Sequence, residues 1–473
     1  MRLFFLTLFV LVLAARLCHV DILWAEETLP LAAAAQMEHG KALYRDVWFD
    51  KPPLLGWIYL AWGARDGWPL RLAGALYALL ACFIAWGFAR DLWGRREALW
   101  AAGLLAFYLV FDIPSAVTPL AADLLMLAPH IAAVWLAWRG RAFWSGMVAG
   151  IAFLLNAKGV FVLAACAIWS MRALPLLAAG FAIPNALAAA VLWNQGGLSA
   201  YAEQVWKWGR VYAGGTFVEN PWSNGVLRTA HWLGFHAALA MGALWFWWRD
   251  PKADRTRWAA WAIISAAAVA AGWRFFPRYY FQLLPLATLA GARGLALMGR
   301  RRAMAVAALL LIPLVRFGPR YALLARDLMA GRPHAWADTA MDRDSRRAAR
   351  IAREWSAPGD TLFVWGFRPE LYIYAGLPAA TRFLDSQPLT GVPADRHLTQ
   401  WQPVEGESTR ARRAELARSQ PALILDGLGL LNPRLAIGAY ADLRPWLDQY
   451  KEVARTDLTV IYRYSGSRAG SAQ

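Results

Sequence analysis

Two neighbouring stretches decide how the chain is read. They are Trp24-Ala25-Glu26-Glu27-Thr28-Leu29-Pro30 and Ala42-Leu43-Tyr44-Arg45-Asp46-Val47-Trp48-Phe49-Asp50-Lys51-Pro52-Pro53-Leu54. Both follow MRLFFLTLFVLVLAARLCHV, one positive charge and then an apolar run reaching about Val20. Small residues at Ala14 and Ala15 fit a cleaved signal peptide, but the length of the run favours a retained signal anchor. Either way, what comes next is delivered outside a membrane. A pair of carboxylates therefore stands directly beyond a membrane span. A lysine follows, with two prolines that stop a helix and fix the backbone.

Composition points the same way. The 473 residues are 59% hydrophobic and 17% charged, with 28 tryptophans and a mean hydropathy of +0.33. Soluble domains carry about 25% charged residues. The net charge of +17, from 49 basic and 32 acidic residues, would suggest a nucleic-acid binder on a soluble fold, but most of this chain is not soluble. Disorder, collagen and a disulfide scaffold are excluded on the same composition. Cys18, Cys82 and Cys166 lie in apolar runs without CxxC or metal-ligand spacing, as buried or lipid-facing thiols do. A polytopic membrane protein remains.

Apolar spans are expected at roughly 3–20, 69–89, 98–111, 119–138, 143–156, 159–171, 174–193, 230–248, 258–273, 279–298 and 303–317. Every second loop is basic: Arg90, Arg95 and Arg96; Arg139 and Arg141; Arg172; Arg249 to Arg257; Arg300 to Arg302. This is the positive-inside pattern, and Arg2 puts the N-terminus on the same side. Residues 318–473 hold 21 of the basic and 17 of the acidic groups, so most of the surplus belongs to the membrane part. With about 11 spans the C-terminus lies outside, and so do the large loops 21–68 and 194–229. Trp24, Trp48, Trp57, Trp62, Trp68, Trp206, Trp208 and Trp222 fall on these loops, as interface-anchoring rings would. Beyond residue 317 an amphipathic helix near 342–355 and strand-like runs at 361–365, 422–426 and 458–464 predict a small α/β domain on the outer face, residues 318–473.

Charged side chains gather at the outer face. Asp123 stands near the outer end of the fourth span, Lys158 in an outer turn Asn156-Ala157-Lys158-Gly159, and Arg274 and Arg278 flank Phe275-Phe276-Pro277. Charges beside spans usually face a cavity or a partner. A carboxylate there can act as a general base and a lysine can hold a phosphate. Against this stand bland readings: Glu26 and Glu27 as solvated residues of a helix N-terminus, Arg274 and Arg278 as snorkelling side chains, and Asp123 in a structural ion pair. Their convergence on one face favours a reaction at a lipid-linked phosphate.

The segment from Glu26 to Leu54 resembles the first outer loop of the GT-C polyprenyl-phosphate-sugar glycosyltransferases. More narrowly it resembles bacterial relatives of the protein O-mannosyltransferases and the lipid A aminoarabinose transferases, the glycosyltransferase family 39 and 83 type. Glu26-Glu27 stand at that family's acidic pair, Tyr44-Arg45-Asp46 follow, and Lys51-Pro52-Pro53 close the loop. The family more often has Asp-Glu, which leaves open whether Glu26 or Glu27 is the base. Asp123 stands at a second family acid and Lys158 at a lysine implicated in holding the lipid phosphate. Arg278-Tyr279-Tyr280, followed by Leu283-Leu284-Pro285, is similar to an aromatic stretch in which many relatives have His at the position of Arg278. Trp365-Gly366, with Glu370 and Tyr372, looks like the outer domain of the bacterial subgroup.

The resemblance implies a mainly α, polytopic GT-C fold with residues 1–317 as the catalytic module. It implies inverting transfer of a hexose or pentose from a polyprenyl-phosphate sugar donor to a hydroxyl of a glycan, lipid or protein acceptor, at the outer face of the cell inner membrane. Glu26, Glu27 and Asp123 would be catalytic. Lys51, Lys158, Arg274, Arg278, Tyr44 and Asp46 would bind substrate and phosphate. No cofactor and no nucleic acid is implied. Some relatives need a divalent metal; the acids here lack a compact ligand cluster, so none is expected. The rival classes are a transporter or flippase for a lipid-linked sugar, which should show helices interrupted near mid-membrane, and a non-catalytic scaffold.

Overall fold

The computed structural model describes residues 1–214, 220–336, 339–399, 404 and 406–466. Each of the eleven apolar stretches is helical. Among the described residues three helices are long and apolar enough to cross a membrane: Gly67–Leu92, Met171–Asn194 and Arg300–Met329. Four apolar ones are shorter: Ala122–Trp138, Ala142–Leu155, Gly159–Trp169 and Leu284–Leu297. The expected 230–248 span is two helices, Pro221–Phe235 and Ala237–Arg249, broken at His236. The expected 303–317 span does not stop at its border. It continues as one helix to Met329, so a division of the chain at 317/318 falls inside a helix. At about 1.5 Å per residue, thirty residues span about 45 Å, more than the ~30 Å hydrocarbon thickness.

Helices in an apolar solvent associate by close packing, and small residues permit it. A Cβ on Gly146 would lie 2.0 Å from the Leu177 carbonyl oxygen, and one on Gly180 2.0 Å from that of Phe143. The Ala142–Leu155 and Leu174–Asn194 helices therefore touch backbone to backbone. A Cβ on Gly294 would sit 1.8 Å from the Gly242 carbonyl oxygen, which fixes a second such pair.

Beyond the helices lies a four-stranded sheet of order β1-β2-β4-β3, with β1 Leu362–Trp365, β2 Leu423–Asp426, β3 Tyr450–Arg455 and β4 Val460–Tyr464. β1 and β2 are parallel and β4 runs antiparallel to both neighbours. The expected helix spans Ala340–Glu354, and three of the four strands fall where the sequence places them. β3 escapes notice because its Tyr-Lys-Glu-Val-Ala-Arg is polar and mostly exposed, as an edge strand can be. Buried Trp365 donates from Nε1 to the Leu435 carbonyl (2.8 Å), Glu370 accepts from the Ser345 hydroxyl (2.6 Å), and the Tyr372 hydroxyl accepts from the Val364 amide (3.1 Å). These motif residues build the domain's core.

Three tryptophans expected at the membrane interface, Trp24, Trp48 and Trp208, are buried instead. Trp48 and Trp208 are packed in the core of the C-terminal domain, with Phe383 5.9 Å and Trp208 6.4 Å from the Trp48 ring. The Trp48 amide donates to the Arg382 carbonyl (2.6 Å). Both rings thus plug the large loops into the C-terminal domain. Trp68 and Trp222 are exposed, as interface rings are.

Candidate active site

The loops at one end of the helices and the C-terminal domain enclose a cavity of about 460 Å³. Glu26, Asp50, Lys51, Asp123, Asn156, Lys158, Arg278 and Tyr279 line it, with Tyr212, Phe367, Gln387 and Asp395 from the overlying segments. Arg139 ends the helical stretch that Asp123 begins, and Arg141 stands at the far end of the Ala142–Leu155 helix, whose near end leads into Lys158. The cavity is therefore at the opposite end from the basic loops.

Arg278 is its hub. One Nη donates to Glu26 Oε1 (2.7 Å), and Nε faces Asp123 Oδ2 (3.4 Å). Burial opposes the guanidinium charge, but Glu26 and Asp123 outweigh it and hold Arg278 above its ordinary value. The Asn156 amide donates to Asp123 Oδ1 (2.9 Å), and its own Oδ1 accepts from the Lys158 backbone (3.0 Å). Lys158 Nζ is buried over the face of Tyr279, 3.1 Å from the ring centre, and has no hydrogen-bond partner among the described residues. Burial pulls this ammonium down to about 8; Asp123 resists and Arg278 adds to the fall. Its position depends on Gly159, where a Cβ would meet the Phe153 backbone nitrogen at 2.4 Å. Lys51 Nζ bonds Asp50 (2.9 Å). Burial works against the Lys51 charge, yet Asp50 and then Glu26 keep it above its ordinary value.

Several residues expected in the site do not line it. Glu27 is completely buried, and both its oxygens accept from Arg71, at 3.0 and 2.7 Å. Its Oε1 also accepts from the Leu120 amide (3.0 Å). The acidic pair is thereby divided: Glu26 faces the cavity, while Glu27 ties the Glu26 helix to the segment that leads into Asp123. Successive helical side chains point about 100° apart, which lets one acid face in and the other out. Tyr44 is fully buried at φ +68. Its hydroxyl donates to the Lys51 carbonyl (2.6 Å), and its carbonyl accepts from Gln204 (2.8 Å), so it shapes the lysine's loop. Asp46 accepts from the Ala42 amide (2.9 Å) and pairs with Arg45 (2.7 Å), another turn-forming role. Arg274 stands behind the cavity wall. It pairs with Asp395, donates to the Tyr212 carbonyl (2.7 Å) and lies over the Tyr212 ring (3.7 Å).

The sequence reading missed Arg71, Asp50, Asn156, Tyr212 and the wall formed by the C-terminal domain. Arg71, a lone cation within an apolar helix, carried the clearest signal. The wall comes from more than 200 residues beyond Glu26, Lys51, Asp123 and Lys158 and carried none. Asp385 lies behind it. Burial pushes its carboxyl up to about 7 against the Gln387 amide bond, and Asp50 pushes the same way. Among the described residues no group of three or more His, Cys, Asp or Glu converges to hold a metal. Glu26 and Asp123 share a guanidinium instead.

No protein-family model matches the chain, and no curated protein does. Solved structures do. ArnT from Cupriavidus metallidurans bound to undecaprenyl phosphate aligns with TM-score 0.60 at 16% identity over 98% of each chain. Its apo state aligns with 0.56 at 16% over 97% of each. The oligosaccharyltransferase AglB from Archaeoglobus fulgidus, in complex with an inhibitory peptide and a dolichol-phosphate, gives 0.50 at 14%, over 98% of this chain and 74% of that one. At such identity the likeness is one of fold, and the chain shares the fold of these structures along nearly its whole length.

Proposed function

We propose that the protein transfers a sugar from a polyprenyl-phosphate donor to an acceptor hydroxyl, with inversion, at the outer face of the inner membrane. The observation that carries this is one cavity, at the end opposite the basic loops, holding Glu26 and Asp123 beside the Lys158 ammonium, which has no hydrogen-bond partner among the described residues. The two aligned neighbours whose structures hold undecaprenyl phosphate and dolichol-phosphate support the lipid carrier. The charged groups meet at one helical end rather than midway along the helices, which favours chemistry over carriage by a flippase.

Glu26 accepts the proton of the acceptor hydroxyl as its oxygen attacks the anomeric carbon. The bond from that carbon to the phosphate oxygen breaks opposite the new bond, which inverts the centre, and its electron pair leaves on the phosphate. A phosphodiester thereby becomes a monoester with one more negative charge. Lys158, Lys51 and Arg278 stand where that charge develops and lower the barrier by stabilising it. Asp123, fixed by Asn156, orients the acceptor or stabilises positive charge on the ring. Glu27, Tyr44, Asp46 and Arg274 act by positioning. The scheme uses no divalent metal, because Arg278 already bridges the two carboxylates. The sugar, hexose or pentose, and the acceptor class, glycan, lipid or protein, are left to assay.

The test is transfer from radiolabelled polyprenyl-phosphate sugars by purified protein. Glu26→Gln and Asp123→Asn should each reduce it at least 100-fold while monodispersity and thermal midpoint stay as in wild type. Full activity in both variants would overturn the proposal.

A further inference from the structure

A second feature lies at the other end of the molecule. Between the Ala237–Arg249 helix and the Arg300–Ala307 helix runs an apolar groove of about 370 Å³, lined by Met241, Leu244, Trp248, Met298 and Val306. Its rim is exposed: Trp248 73%, Leu244 54% and Met241 47%. Trp245 stands at its head with two guanidinium groups over its ring, Arg249 at 5.4 Å and Arg302 at 5.3 Å from the centroid. Stacking on a ring leaves the planar N–H edge of an arginine free, and that edge matches a phosphate.

Neighbouring cations are satisfied by carboxylates. Arg90 and Arg139 share Asp91, and Arg293 holds Glu97 (2.7 Å) and Asp250 (2.8 Å). Arg249 and Arg302 have no carboxylate or hydrogen-bond partner among the described residues. The Leu284–Leu297 helix separates the groove, at Met298, from Arg278 at the cavity, and its 14 residues span about 21 Å. The groove thus opens to the leaflet on the side of the basic loops, away from the donor's phosphate.

We propose that this groove binds an anionic glycerophospholipid, one acyl chain lying along Met241, Leu244 and Met298 and the phosphodiester meeting the free edges of Arg249 and Arg302. The apolar lining fits an acyl chain, and two unneutralised guanidinium groups at its head fit a net negative headgroup better than a zwitterionic one. A paired-arginine pocket between helices on the basic side is a setting in which such lipids are recognised.

The full-length protein, purified in detergent, is titrated with dioleoylphosphatidylglycerol and with dioleoylphosphatidylcholine, and bound lipid is counted by native mass spectrometry. Two arginines predict about a 30-fold preference for the anionic lipid. Arg249→Gln with Arg302→Gln removes that preference, whereas Arg96→Gln, beside a different groove, keeps it. Should the double variant not fold, each single substitution carries the test with about a fivefold loss. Equal affinity for the two lipids in wild type overturns the proposal. So does a preference that survives the substitutions or is lost equally in Arg96→Gln.

Discussion

The pair formed by Glu27 and Arg71 gives the sharpest physical prediction. Both side chains are buried, 0% and 1% exposed, and joined by two hydrogen bonds of 3.0 and 2.7 Å. The same guanidinium donates to the Ile22 carbonyl (2.8 Å), and Glu27 also accepts the Leu120 amide. Replacing Glu27 by Leu strands a buried cation and an amide. Replacing Arg71 by Met strands a buried carboxylate. Breaking such a pair costs about 3–5 kcal/mol, whereas replacing both partners with apolar groups of like volume is often close to neutral. Each single variant should therefore be destabilised by about 3–5 kcal/mol. The double variant should cost well below the sum of the two, with a residual of about 1–3 kcal/mol for each of the unpaired Leu120 amide and Ile22 carbonyl. A double-mutant cycle, read by equilibrium unfolding in mixed micelles, measures the coupling. Strictly additive effects, or single variants within about 1 kcal/mol of wild type, would refute the reasoning. A second readout follows from the position of the pair. Glu27 adjoins Glu26, and Leu120 lies three residues before Asp123, so the double variant should be folded yet slow, with kcat reduced more than KM is raised.

Other outcomes follow from the same geometry. Lys158 is charged below about 8 in the free protein, so kcat/KM should fall as pH rises through that value, and Lys158→Arg should remove this alkaline limb from the pH profile; an unchanged limb would assign it to another group. Trp48→Ala empties the centre of the cluster with Trp208 and Phe383 and should cost about 3–5 kcal/mol, read as faster proteolytic release of the C-terminal domain from the membrane part. Gly180→Leu drives a side chain into the Phe143 backbone and should abolish folded, monodisperse protein, while Gly234→Leu, where nothing lies within 4 Å of a Cβ, should be tolerated. Chelation with EDTA should leave transfer at its full rate, because a guanidinium bridges Glu26 and Asp123; a loss restored by a divalent ion would contradict that role for Arg278.

What the sequence determined by itself is where the apolar helices lie and at which of their ends the basic loops gather. Hydrophobic runs must be helical in lipid, where every backbone polar group needs an internal partner, and the basic loops mark one side. That local physics located the eleven helical stretches, three of the four strands and the face on which Glu26, Lys51, Asp123, Lys158 and Arg278 gather. The tertiary structure decided which of these side chains meet. Glu26 and Glu27 are adjacent and chemically alike. They are told apart only by Arg71, some 45 residues away, which draws Glu27 into the interior and leaves Glu26 to the cavity. Tyr44 and Asp46 look like ligands in a motif and turn out to hold a loop, because their partners are the chain's own backbone. The wall formed by Gln387 and Asp395 comes from a domain whose contact with the cavity no local pattern encodes. Periodicity and charge are written residue by residue along the chain; pairing across the fold depends on packing, which brings together groups that the sequence keeps apart.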